Sequence, residues 1–398
     1  MATFCMQSLG CEVSAIHTVN YSKRGRPRAI ETREGNAEHF VSNTGNHVAY
    51  KTFKGRKTPP EEVADLYAGL KTARLDNFDM MLSGYCPSAA LVHEIGKIGR
   101  DARLRSSTKP GSFFWVLDPV MGDNGRIYVA EETLPAYKSL LKDADLILPN
   151  QFEAELLSGV SIKDLGSMEK AVEKLHKAYT LPHVIITSMR LPATTVGTPV
   201  AGEEKEGGAK LSIVGSTATS EGKPRLFRIT VPALPVFFSG TGDMFAALLV
   251  ARLRQAAQDA GVSNKPSWQS PDDVSGPDLP LAKATEKVLA SMHAVLKNTA
   301  DHYQSVAKSM DETKELNEGK DEEGSQEREM VRHLTLTRAA EVRVVQNSKA
   351  LREPPDLQSF KAVPVDVDVS QQEDVGETET DELGVEKVAA GSGAVHQT

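Results

Sequence analysis

The chain is predicted to fold as an α/β protein around a mostly parallel sheet, and three observations carry that expectation. Short apolar runs ending in polar, Gly or Pro residues recur at Val13 to Val19, Met80 to Leu82, Phe114 to Leu117, Leu146 to Leu148 and Val184 to Thr187. Longer segments of helical periodicity separate them, and strands alternating with helices are the pattern of parallel sheets. A hydrophobic content of 40% in 398 residues is enough to bury a substantial core.

The helices are read from apolar spacing. Leu91, Ile95 and Ile98 mark one, and Ala171, Val172 and Leu175 another. Phe245, Leu248, Leu249 and Ala256 mark a third, which Gly261 is expected to end. Leu281, Ala284, Val288, Met292, Val295 and Leu296 define a helix from Leu281 to Tyr303. Three stretches break the alternation: Lys23 to Gly45 is polar and basic, Pro192 to Lys223 is rich in Gly, Thr and Glu, and Pro266 to Pro280 is a Pro/Ser/Asp loop. All three are expected to be surface excursions. The charge-rich Asp311 to Gln326 is expected to be mobile, and Leu334 to Val345 to rejoin the core. The resulting division is a main domain over residues 1–305 with polar inserts near 23–45 and 192–223, a charged segment over 306–333, a return to the domain over 334–365, and a disordered tail over 366–398. No internal repeat is present.

Charge is unevenly distributed. Asp366 to Thr398 carries nine acids and one base, whereas the rest of the chain carries 45 of each. A neutral body argues against broad electrostatic binding to nucleic acid or to an anionic membrane. Cys5, Cys11 and Cys86 form no C-x-x-C pair, which fits a reducing compartment. No stretch is long and apolar enough to span a bilayer, and a soluble cytoplasmic protein is expected.

In parallel sheets, ligands bind beyond the carboxyl ends of the strands. The residues there are Ser83-Gly84-Tyr85, Asp118-Pro119, Pro149-Asn150, Thr187-Ser188 and the turn Gly240-Thr241-Gly242-Asp243. That turn runs directly into the apolar helix from Met244. Glycines at a helix N-terminus let backbone N–H groups face an anion, and the helix dipole favours negative charge there. Asp243 in the first turn would repel a phosphate unless it had another task, such as taking a proton from a substrate hydroxyl. On these residues alone, a simple helix cap fits equally well. Asp118, Asp123, Asn150 and Glu153 offer oxygens for a Mg²⁺ ion bridging phosphates. Asn150 with Glu153 three residues on also reads as a capping box, and both roles can coexist.

Several runs in order, DPVMGD at Asp118 to Asp123, IYV at Ile127 to Val129, LPNQFEAELLS at Leu148 to Ser158, ITS at Ile186 to Ser188 and GTGD at Gly240 to Asp243, resemble the pyridoxal kinases of the ribokinase-like superfamily. The resemblance covers most of Ala2 to His302 and implies a three-layer αβα sandwich. It implies ATP-dependent phosphorylation of the 5′-hydroxymethyl group of pyridoxal, pyridoxine or pyridoxamine. By motif, Asp243 becomes the base, and Gly240, Thr241 and Gly242 hold the charge developing on the phosphoryl group. Asn150, Glu153, Thr187 and Ser188 become ATP contacts, Asp118, Asp123 and Glu153 a metal region, and Tyr85 a residue lining the pyridoxal ring. Mg²⁺, with Zn²⁺ as an alternative, K⁺ and a homodimer are implied in the same way.

The chain departs from the family pattern in its substrate half. The family's first strand, and the turn whose serine meets the pyridoxal ring, have no counterpart here, so the sheet is expected to lack that strand. Val48 stands where the family has a substrate-contacting threonine, and valine can neither donate nor accept that hydrogen bond. Lys23 to Arg28 is similar to an AT-hook, a minor-groove element that would extend localisation to the nucleus. A hydroxymethylpyrimidine kinase and a non-catalytic nucleotide-binding protein remain the alternatives.

Overall fold

The computed structural model describes residues 1–23, 53–123, 125–189, 210–315 and 325–365. The chain opens in α1 (Ala2–Ser8), and β1 (Val19–Lys23) pairs antiparallel with β2 (Phe53–Lys57) as a two-stranded ribbon. Then follow α2 (Pro60–Thr72), β3 (Met80–Ser83), α3 (Ala89–Arg105), β4 (Phe114–Leu117) and a small hairpin of β5 (Gly122–Asp123) and β6 (Arg126–Ile127). Next come α4 (Thr133–Leu140), β7 (Leu146–Ile147), α5 (Gln151–Ser158), α6 (Leu165–Tyr179), β8 (His183–Met189), β9 (Lys210–Ala218) and β10 (Pro224–Pro232). Helices α7 (Thr241–Asp259), α8 (Pro280–Glu315), α9 (Ser325–Ala339) and α10 (Ser348–Arg352) precede β11 (Val363–Pro364).

The central sheet has seven strands in the order β11-β10-β9-β8-β7-β4-β3. Strands β3, β4, β7 and β8 are parallel, and β9, β10 and β11 extend the sheet antiparallel. Strand β4 is buried along its whole length. Its residues alternate between two cores: Phe114 and Val116 pack toward α7 and α8, while Trp115 and Leu117 pack toward α3, α4 and α6. A period of two with both faces apolar is what a strand covered by helices on either side requires, and the result is the expected αβα layering. Among the described residues, β3 is an outer strand of this sheet, and no helix is long and apolar enough to cross a membrane.

Four segments differ from expectation. Residues 11–17 form no strand, and the strand begins only at Val19, in the separate ribbon. Of the polar stretch 192–223, Lys210–Ala218 is not a surface excursion but the buried strand β9. Its Ser212, Ser216 and Thr217 are buried hydroxyls, and Gly215 lies where an added Cβ would come 2.2 Å from the Phe227 ring. Residues 266–280 also enter the core: Trp268 is buried and stacks on Phe114 at 4.3 Å. Finally, α8 runs on through the charge-rich segment to Glu315 and α9 resumes at Ser325. Val342 and Val344 are buried, as expected of a return to the core. The rest of the basic insert, Arg24 to Gly45, and the acidic tail lie outside the described residues.

The hydroxyls of β9 satisfy two buried histidines. His176 faces the Leu181 carbonyl at 2.7 Å and Ser216 Oγ at 2.8 Å, and His183 faces the Ser267 carbonyl at 2.7 Å and Thr217 Oγ1 at 2.9 Å. Each ring donates to a carbonyl and accepts from a hydroxyl, which is the pattern of neutral imidazole. Burial lowers both from an ordinary value of 6.5 to about 4. The unfolded chain therefore takes up these protons first, so stability is intact above pH 6.5 and falls as pH drops from 6.5 to 4, by roughly 3 kcal/mol per histidine. Urea titrations across this window should show a steep loss, and in His183→Gln the slope should flatten by up to one proton. An unchanged slope in the variant would contradict this account.

Candidate active site

Because β3, β4, β7 and β8 are parallel, their carboxyl ends share one edge of the sheet. The chain crosses that edge through a ladder of backbone bonds: Asp118 N donates to the Ser83 carbonyl at 2.8 Å, Leu148 N to the Leu117 carbonyl at 3.0 Å, and Thr187 N to the Pro149 carbonyl at 2.9 Å. The segments after each strand, singled out in the sequence, are thereby set side by side. Thr187 and Ser188 fall in an irregularity of the β8–β9 ladder, between Ile186 and Met189. A break of this kind releases side chains from the alternation of the sheet, and here Thr187 is half-buried and Ser188 exposed.

The turn before α7 needs its glycine. Gly240 is the N-cap with φ +80°, a left-handed conformation that costs a residue with a Cβ about 1–2 kcal/mol. Gly240 has no side chain to cap this helix, and the first-turn N–H groups of Thr241 and Gly242 lie at the helix end where the dipole favours an anion. Gly242 sits next to Asp118, whose Oδ2 would lie 3.9 Å from a Cβ added there. Asp243 is exposed at the mouth of the site, whereas Asp118 is buried. Loss of water, then Glu153, then Asp243 push the Asp118 carboxyl well above the usual carboxylate range.

Asn150 and Glu153 form the capping box of α5, as their spacing predicts. They also reach across to the β5–β6 hairpin. Glu153 Oε1 accepts from Met121 N at 2.8 Å and Gly122 N at 3.3 Å, Oε2 accepts from Asn150 N at 2.9 Å, and Asn150 Nδ2 donates to the Gly122 carbonyl at 2.7 Å. One carboxylate thus holds the DPVMGD turn in place beside Asp123, which is exposed on the hairpin. Burial raises Glu153 to about 7 despite these three N–H donors. Among the described residues, no three His, Cys, Asp or Glu side chains converge into a preformed metal cage.

Tyr128 lies close enough to these carboxylates and to Tyr85 to feel their charge. Burial first, followed by Glu153, Asp123, Asp118 and Tyr85, pushes the Tyr128 phenol up to about 12. The sequence brought Tyr128 to notice only within the IYV run, because its proximity to the carboxylates depends on the hairpin folding back. Val48 and the basic run from Arg24 to Arg28 lie outside the described residues.

Comparison with known proteins agrees with this geometry. The family model described as phosphomethylpyrimidine kinase matches residues 103–260. A putative pyridoxal kinase of Schizosaccharomyces pombe is 34% identical over 304 residues, covering 75% of this chain and 80% of its own length. The chain belongs to the pyridoxal kinase family. The pyridoxal kinase of Arabidopsis thaliana is 31% identical over 304 residues, 76% of this chain and 77% of the relative. The structure of Leishmania donovani pyridoxal kinase with ADP superposes with a TM-score of 0.62 at 26% identity, covering 91% of this chain and 92% of that one. The same Leishmania enzyme with ADP and pyridoxamine gives a TM-score of 0.60. The family's ribokinase-like fold is therefore the fold of this chain.

Proposed function

We infer that this chain is a kinase transferring the γ-phosphoryl group of ATP to the 5′-hydroxymethyl group of pyridoxal, pyridoxine or pyridoxamine. The observation that carries this reading is the solvent-accessible carboxylate of Asp243 in the first turn of α7, a helix that opens on Gly240 with φ +80° and no side-chain cap at that position. Asp243 takes the proton of the 5′-hydroxyl as its oxygen attacks the γ-phosphorus. The bond from that phosphorus to the β-γ bridging oxygen breaks, and ADP leaves with the electron pair. The backbone N–H groups of Gly240, Thr241 and Gly242 and the positive end of the α7 dipole hold the charge on the transferred group. Asn150, Thr187 and Ser188 contact ATP, and Tyr85 lines the pyridoxal ring.

Asp118 and Asp123 fit a Mg²⁺ ion. Their donors are oxygen only, which suits Mg²⁺ better than Zn²⁺, and one or two carboxylates with phosphate oxygens are what Mg²⁺ sites of phosphoryl-transfer enzymes use. Bound there, the ion would neutralise negative charge on the phosphates. Glu153, with both oxygens engaged by backbone N–H groups, would steady the Asp123 turn. K⁺ near Asp118 and Thr187, a homodimeric assembly and a cytoplasmic location are part of the same proposal.

The test is ATP consumption by purified protein with Mg²⁺ and K⁺ present. Turnover should depend on added pyridoxal, and its absence would refute the reading. The match to the phosphomethylpyrimidine kinase model keeps a second reading open. Competition should find hydroxymethylpyrimidine the poorer substrate, and the reverse order would favour that second reading.

A further inference from the structure

The β1–β2 ribbon stands apart from the central sheet, yet its base is tied to the candidate substrate loop. Thr18 precedes β1 and Thr58 follows β2, so the two close the ribbon at one end. Thr58 N donates to the Thr18 carbonyl at 2.9 Å, and Thr58 Oγ1 to the His17 carbonyl at 2.6 Å. The Thr18 hydroxyl turns the other way and donates to the Tyr85 carbonyl at 2.7 Å.

The loop that receives this bond is held from beneath as well. Trp115 Nε1 donates to Ser83 Oγ at 2.8 Å, and Tyr137 Oη to the Gly84 carbonyl at 3.2 Å. Cys86, buried below, donates weakly to the same carbonyl at 3.5 Å. Trp115 of β4 thus fixes Ser83 and Tyr137 of α4 fixes Gly84, while the Tyr85 carbonyl is held by Thr18 at the base of the ribbon.

We propose that Thr18 is a positioning residue for the vitamin substrate, holding through its hydroxyl the loop that carries Tyr85. The proposal rests on the reading of this chain as a pyridoxal kinase in which Tyr85 lines the ring. Thr18 touches neither ATP nor the reacting atoms in that scheme, so its effect falls on substrate binding. One lost hydrogen bond of this kind is about a five- to tenfold change in an equilibrium constant.

Thr18→Val keeps the branched shape and removes the donor, whereas Thr18→Ser keeps the donor. Steady-state kinetics of the full chain should show the KM for pyridoxal raised about five- to tenfold in Thr18→Val. The KM for ATP and kcat should stay within about twofold of the parent, and Thr18→Ser should restore the pyridoxal KM. An unchanged pyridoxal KM in Thr18→Val would overturn the proposal and leave the kinase reading intact. Parallel loss of ATP affinity and kcat, unrescued by serine, would overturn it too by marking a merely structural role. A parent protein without pyridoxal-dependent turnover would overturn both readings.

Discussion

Asp243→Asn is expected to lower pyridoxal-dependent kcat by a factor of about 10²–10⁴, the range that a positioned general base contributes. Asparagine has nearly the same shape, and Asp243 is exposed in the first turn of α7, so the fold should survive. Losing one carboxylate at that helix end costs about 0.3–1 kcal/mol of dipole interaction. ATP affinity should hold or rise, because a negative charge next to the phosphates is gone. Single-turnover kinetics together with nucleotide titration separate the two effects. A variant that keeps a third or more of the parent turnover would remove Asp243 from the role of base.

Glu153→Ala is expected to destabilise the protein by about 2–4 kcal/mol, because a buried acceptor serving three backbone donors disappears. The alanine leaves Met121 N, Gly122 N and Asn150 N without this partner and opens a cavity under the hairpin. Relief of the repulsion between Glu153 and Asp118 offsets part of the cost. Activity should fall about ten- to a hundredfold, since Asp123 and Asn150 lose the carboxylate that sets their turn. Glu153→Gln, which retains an acceptor oxygen, should recover more stability than activity. Chemical denaturation and steady-state rates on the same samples check the pair. If the alanine variant unfolds at the same denaturant concentration as the parent, the carboxylate is not what holds the turn.

The contrast between Glu153 and β9 indicates what a single sequence discloses. The Asn150–Glu153 box was legible because a cap lies within one turn of its own helix. The same was true of Gly240, where a glycine-rich turn before an apolar helix can be read without knowing what lies opposite. Strand β9 was not legible. Its serines and threonine look like surface chemistry until His176 and His183 are seen to need hydroxyl partners in the core. Trp268 was missed for a similar reason: a Pro/Ser/Asp loop reads as solvent-exposed, and only its stacking on Phe114 draws it inside.

By itself the sequence determined the parallel strands, the polar residues waiting at their ends and the glycine turn from Gly240 that opens α7. These depend on periodicity, backbone conformation and helix-end electrostatics, all of which act within a few residues. Tertiary structure alone decided that Asp118 lies against Gly242, that Glu153 braces Met121 and Gly122, and that Thr18 reaches Tyr85. Strand order and register set those contacts. They join residues far apart in the chain through hydrogen bonds that form only after the sheet has closed, and no local pattern encodes them.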